Sequence, residues 1–294
     1  MGKIISKELG LEIAEKYKTH KYTFTDLAEE FNLSKSGVHK YLHRNYPDII
    51  TEESVAQKYK FSFNVEYFDI INTEHKAYWL GLLYADGTNS LKSNTIRLRL
   101  QEEDKEILEK FNIDINSNRP LSFISGENKI GLNRKDQYQF IISSRELSDK
   151  FTKLGCHPNK TFTLKFPTEE QVPAHLLRHF IRGMWDGDGS FTLTRPKKKF
   201  KNGERHYLLS TNLVGTKDIC ENIFNIINKE VNFSPNISGL NNSDKIKIIN
   251  FGGNQQVYKF IEWLYKESDI WLKRKYDKWQ NYKEIMCGLG FIPK

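Results

Sequence analysis

Stretches with a helical repeat of apolar positions alternate along the chain with shorter stretches that repeat every second residue. Near the start, Leu27, Ala28 and Phe31 share one helical face after Thr25, a residue able to cap a helix start. Val38, Tyr41 and Leu42 do the same after Ser34. Asn32 and Leu33 leave room between them only for a tight turn, so the spacing predicts two short amphipathic helices in helix-turn-helix order. Ile49 to Lys60 is polar with scattered apolar residues and reads as a linker.

Beyond the linker the pattern repeats itself. Thr73–Gly87 and Ala174–Gly189 are both helical in period, and both end in Asp-Gly, with Asp188 following Asp86 by 102 residues. After the first copy, Thr88–Ser90 and Thr95–Leu100 read as strands, Asp104 to Phe111 as helix, Leu121–Ile124 and Gln137–Ile142 as strands, and Arg145–Leu154 as helix. After the second, the matching elements are Ser190–Thr194, Tyr207–Leu213, Thr216–Asn228, a strand about Ile237, Ile246–Phe251 and Gln255–Glu267. Strands in hairpin order between helices predict an α+β fold with antiparallel sheets, built as two αββαββα halves. The expected divisions are 1–60, a small helical segment and linker, then 61–168 and 169–294.

Composition narrows the class. The 294 residues are 38% hydrophobic and 13% aromatic, enough for real cores and unlike a disordered chain. No apolar core of a secretory signal lies in the first 30 residues, and the longest charge-free apolar stretch, Ala77–Ala85, is too short to span a bilayer. Cys156, Cys220 and Cys287 are widely spaced and odd in number, which fits neither a disulfide framework nor zinc spacing. An intracellular protein with no membrane association is expected. The net charge of +8 points to a polyanionic partner, and it is uneven: residues 1–60 hold ten basic and nine acidic groups, so most of the excess lies beyond them.

The paired Asp-Gly ends are the strongest chemical signal. A carboxylate in the last turn of a helix meets the negative end of the macrodipole, a penalty of up to about 1 kcal/mol. At matched points of two repeats, Asp86 and Asp188 call for a compensating cation, and two carboxylates brought together by helix packing make a hard oxygen site suited to Mg²⁺. Gly81 and Gly183, each five residues earlier, leave a gap where two helix backbones can approach.

Trp79–Gly87 (WLGLLYADG) and Ile181–Gly189 (IRGMWDGDG) resemble the two motifs of a LAGLIDADG homing endonuclease in its monomeric, two-motif form. The resemblance runs from about Val65 to the C-terminus. It implies two halves about a pseudo-two-fold axis, motif helices packed at the centre, and two four-stranded sheets forming a saddle over a DNA major groove. It further implies that Asp86 and Asp188 bind catalytic Mg²⁺, with Mn²⁺ able to substitute, and that Ala85 and Gly187 offer backbone carbonyls to the metals. Each half would cut one strand of double-stranded DNA, leaving short 3′ overhangs. Lys160 and Lys275, in matching places after the last strand-helix unit of each half, resemble the family's supporting lysine. The polar position that orients water falls near Gln101 or Glu102, and in the second half near the apolar Leu213 or Val214, so unequal cutting of the strands is expected. Tyr84 stands where the second motif keeps Asp186, which suggests a hydrogen bond from Tyr84 into the other half.

Candidate DNA contacts follow the charge. Arg97 and Arg99 alternate with Leu98 and Leu100, placing both guanidiniums on one face of a strand, where arginine can pair with guanine. Arg195, Lys197, Lys198, Lys199, Lys201 and Arg205 surround Asn202-Gly203, a hairpin-turn signal, as a phosphate-gripping finger. Arg134 and Lys135 add a third basic stretch, and Lys35, Ser36, His39 and Lys40 would be offered by the second helix of the N-terminal segment. The competing readings are a DNA-binding regulator of the same fold that does not cut, and an intron RNA maturase.

Overall fold

The computed structural model describes residues 5–19, 22–50, 61–126, 135–195, 207–239 and 245–291. The chain divides into two compact units, 1–62 and 63–294. Residues 51–60, most of the expected linker, lie outside the described residues.

The first unit holds three helices, α1 (Lys7–Lys18), α2 (Phe24–Glu30) and α3 (Lys35–Asn45). Their shared core is Ile13, Ala14, Tyr17, Phe24, Leu27, Ala28, Val38 and Leu42. Helix α2 starts earlier than expected. Thr23, not Thr25, is its cap, in a reciprocal capping box with Asp26. The α2–α3 turn closes through Asn32 at φ 51°, and the Ser34 hydroxyl accepts from Gly37 N to cap α3. Lys35, Ser36, His39 and Lys40 are exposed on α3, the face opposite Val38 and Leu42.

In the second unit the repeat is complete. The first half runs α4 (Glu74–Asp86), β1 (Gly87–Ser90), β2 (Thr95–Gln101), α5 (Lys105–Asp114), β3 (Ser122–Ile124), β4 (Gln137–Ser143) and α6 (Arg145–Lys153). The second runs α7 (Leu177–Asp188), β5 (Ser190–Thr194), β6 (Leu208–Thr216), α8 (Lys217–Val231), β7 (Asn236–Gly239), β8 (Ile246–Gly252) and α9 (Asn254–Tyr265). Each half has one antiparallel four-stranded sheet, in the order β1-β2-β4-β3 and β5-β6-β8-β7. One helix falls outside the expected pattern, α10 (Lys273–Gly288). Its buried residues, Lys275, Trp279 and Met286, form too sparse an apolar stripe to announce it.

The two halves meet along α4 and α7. A Cβ on Gly81 would lie 2.0 Å from the Phe180 carbonyl oxygen, and one on Gly183 would lie 2.1 Å from that of Tyr78. The helices therefore cross backbone against backbone. Polar links reinforce one flank: wholly buried Arg182 pairs with Glu74, and the Tyr78 hydroxyl donates to Asp186 Oδ2 at 3.0 Å. Burial alone raises the Glu74 pKa, yet His179 and Arg182 hold it down at about 2. The other flank is aromatic, with the Tyr84 and Phe180 rings edge to face at 5.0 Å. The expected hydrogen bond from Tyr84 into the second half is not formed. Its hydroxyl donates to Leu154 O within its own half at 2.6 Å, because Phe180 opposite offers no acceptor.

An added methyl at Gly81 or Gly183 meets a backbone carbonyl that cannot rotate away. Gly81→Ala and Gly183→Ala should each destabilise the protein by about 2–3 kcal/mol or more. Gly288→Ala, where nothing lies within 4 Å, should be neutral or slightly stabilising. Urea unfolding of the three variants checks this.

Candidate active site and outward strand faces

Both motif helices stop at Gly87 and Gly189, whose extended backbones turn straight into β1 and β5. The crossing thereby sets the two helix C-termini, with Asp86 and Asp188, side by side. A Cβ on Gly187 would lie 2.3 Å from that of Ala85 and 3.0 Å from Asp86 Oδ2, so the glycine lets the carboxylate of one half reach the helix end of the other. Burial pushes Asp86 up to about 6, and the charge of Asp188 adds to the rise, while Lys275, Lys160 and Arg274 oppose it. Asp188 reaches solvent, but the surrounding protein still displaces enough water to raise its pKa against Lys160 and Lys275.

A lysine sits on each helix end. Lys160 Nζ donates to the carbonyls of Leu83, Tyr84 (2.5 Å) and Ala85 (3.4 Å). Lys275 Nζ donates to those of Trp185 (2.8 Å), Gly187 (3.1 Å) and Gly189 (2.5 Å). Leu83 and Trp185, like Ala85 and Gly187, are 102 residues apart, so two of the three contacts that each lysine makes are equivalent in the two halves. They satisfy terminal carbonyls and offset the helix dipole where each aspartate adds negative charge. Burial pushes Lys275 down to about 8 and lowers Lys160 too, while Asp86 and Asp188 pull both upward.

Gln101 ends β2 with its Oε1 buried and without a hydrogen-bond partner. Sheet register corrects the expected position of its counterpart. Gly87 pairs with Leu98, and counting along the β5–β6 ladder places Gly189 opposite Leu213. Gln101 is therefore level with Thr216, and neither Leu213 nor Val214 takes its place. Thr216 is polar but committed: its hydroxyl donates to Leu164 O at 2.7 Å and accepts from Ile219 N. The second half still presents no available polar side chain there.

Arg274 and Asp104 escaped sequence reasoning. Arg274 Nε bonds both Asp104 oxygens, at 3.0 and 2.9 Å, tying α10 of the second half to the turn after Gln101. Asp104 only opened an expected helix, with no chemical role assigned to it, and Arg274 lay outside the repeat, with adjacency to Lys275 as its only sequence signal.

Away from the helices, β2 presents Arg97, Arg99 and Gln101 while Ile96, Leu98 and Leu100 are buried beneath. Arg99 Nη2 donates to Gln139 Oε1 on β4 at 3.0 Å, and Arg97 Nε is buried without a partner. The same face of the second sheet carries Ser190, Thr192, Ser210, Asn212, Asn236 and Asn250, polar but uncharged. Lys135 is exposed and bonds Glu103 at 3.2 Å; Arg195 is exposed at the end of β5, 5.7 Å from the Tyr207 ring. Arg134, Lys197, Lys198, Lys199, Lys201 and Arg205, with the expected Asn202-Gly203 turn, lie outside the described residues.

Two pseudo-symmetric αββαββα halves, crossed at glycines with an acidic residue at each helix end, define the architecture. It is the fold of the LAGLIDADG homing endonucleases. The chain is similar to I-SmaMI bound to uncleaved DNA target in the presence of calcium ions, at 12% identity over 74% of this chain and 93% of that one, TM-score 0.51. It is also similar to I-SmaMI bound to uncleaveable DNA with a TTCT central four, at 12% identity over 73% and 91%, TM-score 0.50. No family model and no curated protein matches the sequence. No helix among the described residues is long and apolar enough to cross a membrane.

The donors at the crossing fit a hard divalent cation. Two carboxylates raised by burial, Asp86 further by the charge of Asp188, converge beside the Ala85 and Gly187 carbonyls. Among the described residues no group of three or more His, Cys, Asp or Glu side chains could hold one, so carbonyls and water must complete the shell. Asp86 binds its proton more tightly folded than at its ordinary 3.8, so its favourable contribution is present below about pH 4 and lost as pH rises through about 6. Asp86→Asn should therefore stabilise the protein at pH 7.5 by about 2 kcal/mol, and not at pH 3.5. Millimolar Mg²⁺ should raise the wild-type melting temperature at pH 7.5 but not that of the Asp86→Asn/Asp188→Asn double variant. Equal shifts in both would place the cation elsewhere.

Proposed function

We propose that this protein is a site-specific, Mg²⁺-dependent endonuclease of double-stranded DNA, with Mn²⁺ able to substitute. One observation carries the reading: Asp86 and Asp188, desolvated and adjacent at the helix crossing, each beside a lysine seated on its own helix end. A protein that only binds DNA gains nothing from placing two repelling carboxylates there.

Asp86 and Asp188, with the Ala85 and Gly187 carbonyls, would hold the metal. When bound it supplies charge stabilisation and lowers the pKa of water for attack on phosphorus. Lys160 and Lys275 sit where a positive charge can steady the charge developing on a scissile phosphate. Gln101, with its unpaired Oε1, orients the attacking water at one site, and Thr216 is not free to do so at the other. Water attacks phosphorus and gives its proton to solvent as the P–O3′ bond breaks, the leaving 3′ oxygen takes a proton from solvent, and a 3′ hydroxyl and a 5′ phosphate remain. One cut per half across the minor groove leaves short 3′ overhangs.

Arg97 and Arg99 read bases from the first sheet, and Arg134, Lys135, Arg195, Lys197, Lys198, Lys199, Lys201 and Arg205 grip phosphates. Lys35, Ser36, His39 and Lys40 extend the footprint from the N-terminal unit. The protein works as an intracellular monomer, because one chain carries both halves of the site. The separate helix-turn-helix unit favours a second reading, a non-cutting DNA-binding regulator.

Incubation with a randomised duplex library and Mg²⁺ separates the two. Cleavage of a discrete target should fall about a hundredfold or more in Asp86→Asn and in Asp188→Asn. A tight specific complex that wild type never cuts selects the regulator. On a plasmid target a nicked intermediate should accumulate, and Gln101→Leu should slow one strand far more than the other. Binding should weaken by about a thousandfold or more between 50 and 200 mM salt.

A further inference from the structure

The two motifs differ where one has Tyr84 and the other Asp186, 102 residues on. Both side chains are nearly or wholly buried, at 2% and 0% exposure, and their hydrogen bonds go to groups other than the paired carboxylates. What they touch is the chain that leads to each lysine.

In the first half, the Tyr84 hydroxyl donates to Leu154 O at 2.6 Å, six residues before Lys160. The contact needs Gly155, whose φ is 92° and whose Cβ, if present, would lie 2.0 Å from the Tyr84 hydroxyl. In the second half, Asp186 Oδ2 accepts from Leu272 N at 2.8 Å, three residues before Lys275. Its other bonds come from the Tyr78 hydroxyl to Oδ2 at 3.0 Å and the Tyr265 hydroxyl to Oδ1 at 2.5 Å. Arg182, one turn earlier on α7, holds the same segment through Leu264 O, Ser268 Oγ and Ile270 O at 3.3, 2.6 and 2.9 Å.

We propose that Tyr84 and Asp186 are positioning residues with one task, each fastening the segment that delivers its half's lysine to the end of the motif helix. The residue types differ because the segments present opposite backbone groups. Leu154 offers a carbonyl and needs a donor, supplied by the tyrosine hydroxyl. Leu272 offers an N–H and needs an acceptor, supplied by the carboxylate. Swapping the two residues would leave a buried carboxylate facing a carbonyl in one half and an unmatched N–H in the other. The departure of the first motif from the second thus follows from how each half's chain approaches the site.

The assignment predicts a division by half, which general loosening of the core does not produce. Brief acetic anhydride labelling of the full chain, read by mass spectrometry, reports the accessibility of each amine. In Tyr84→Phe, labelling of Lys160 should rise about fivefold, the effect of one lost hydrogen bond, with Lys275 unchanged. In Asp186→Leu, labelling of Lys275 should rise by more than that with Lys160 unchanged, and Asp186→Asn, which keeps an acceptor for Leu272 N, should stay near wild type. On a cleaved target, Tyr84→Phe should slow one strand and Asp186→Leu the other.

Unchanged labelling of Lys160 in Tyr84→Phe, or equal rises at both lysines, overturns the proposal. Tyr84→Phe loses only one oxygen, so that arm decides even if Asp186→Leu does not fold. The strand readout alone rests on the nuclease reading. Half-specific labelling without any DNA cleavage upholds the positioning roles and removes the nuclease, whereas cleavage with unmoved labelling does the reverse.

Discussion

The backbone contact between α4 and α7 at Gly81 and Gly183 is the constraint on which the rest depends. With Cβ distances of 2.0 and 2.1 Å to the opposing carbonyls, no other residue fits there without moving a helix. Close approach at that point sets the two helix ends together one turn later, and with them Asp86 and Asp188. It also shields Asp86 enough for burial to be the largest influence on its carboxyl group, while Asp188 stays open to solvent. The strands leave from those ends, so the position of each sheet is inherited from the same crossing.

Setting two helix C-termini side by side in this way is electrostatically unfavourable. Two macrodipoles present their negative ends, four terminal carbonyls per helix lack partners, and two carboxylates are added. Lys160 and Lys275 answer all three by donating to the terminal carbonyls while lying within reach of the carboxylates. Each comes from the end of its own half, so the helix termini are settled only when the last part of that half has docked. The flanks of the crossing are less symmetric. Glu74–Arg182 and Tyr78–Asp186 line one side, while their counterparts on the other, Leu176, Leu80, Phe180 and Tyr84, are apolar or aromatic. An Arg182 or Asp186 paired with its own kind of helix would face a hydrocarbon instead of a partner, which favours the pairing of unlike halves.

Element order and the paired aspartates were legible because both rest on local rules: helical and strand periodicity, and a carboxylate where the dipole disfavours one. The strand register in the second half was not, since β6 runs past Leu213 to Thr216 and a shift along a ladder leaves no mark in composition. The task of Tyr84 was misread because its partner, Leu154 O, is a backbone atom 70 residues away that any sequence would offer. Helix α10 was missed for a related reason. Its inward face includes Lys275, a charged residue where the period calls for an apolar one, and that lysine is buried because it serves the neighbouring helix end. The cap of α2 was misplaced by two residues because Thr23 and Thr25 are both chemically able to cap, and only Thr23 has an acidic partner three residues on.

Unpaired polar atoms separate the two halves further. Arg97 Nε and Gln101 Oε1 are buried without partners on the outward face of β2, where one apolar substitution would remove each cost. The corresponding face of the second half carries short neutral side chains, and Thr216, level with Gln101, spends its hydroxyl on Leu164 and on capping α8. Folding alone gives no reason to keep an arginine and a glutamine half-satisfied on one strand. Under the proposed function, a bound nucleic acid with an ordered water would supply acceptors to Arg97 and a donor to Gln101. Among the described residues of the two outward sheet faces, the buried unpaired polar atoms lie on β2 of the first half, while Thr216, at the matching place in the second, is satisfied by its own chain.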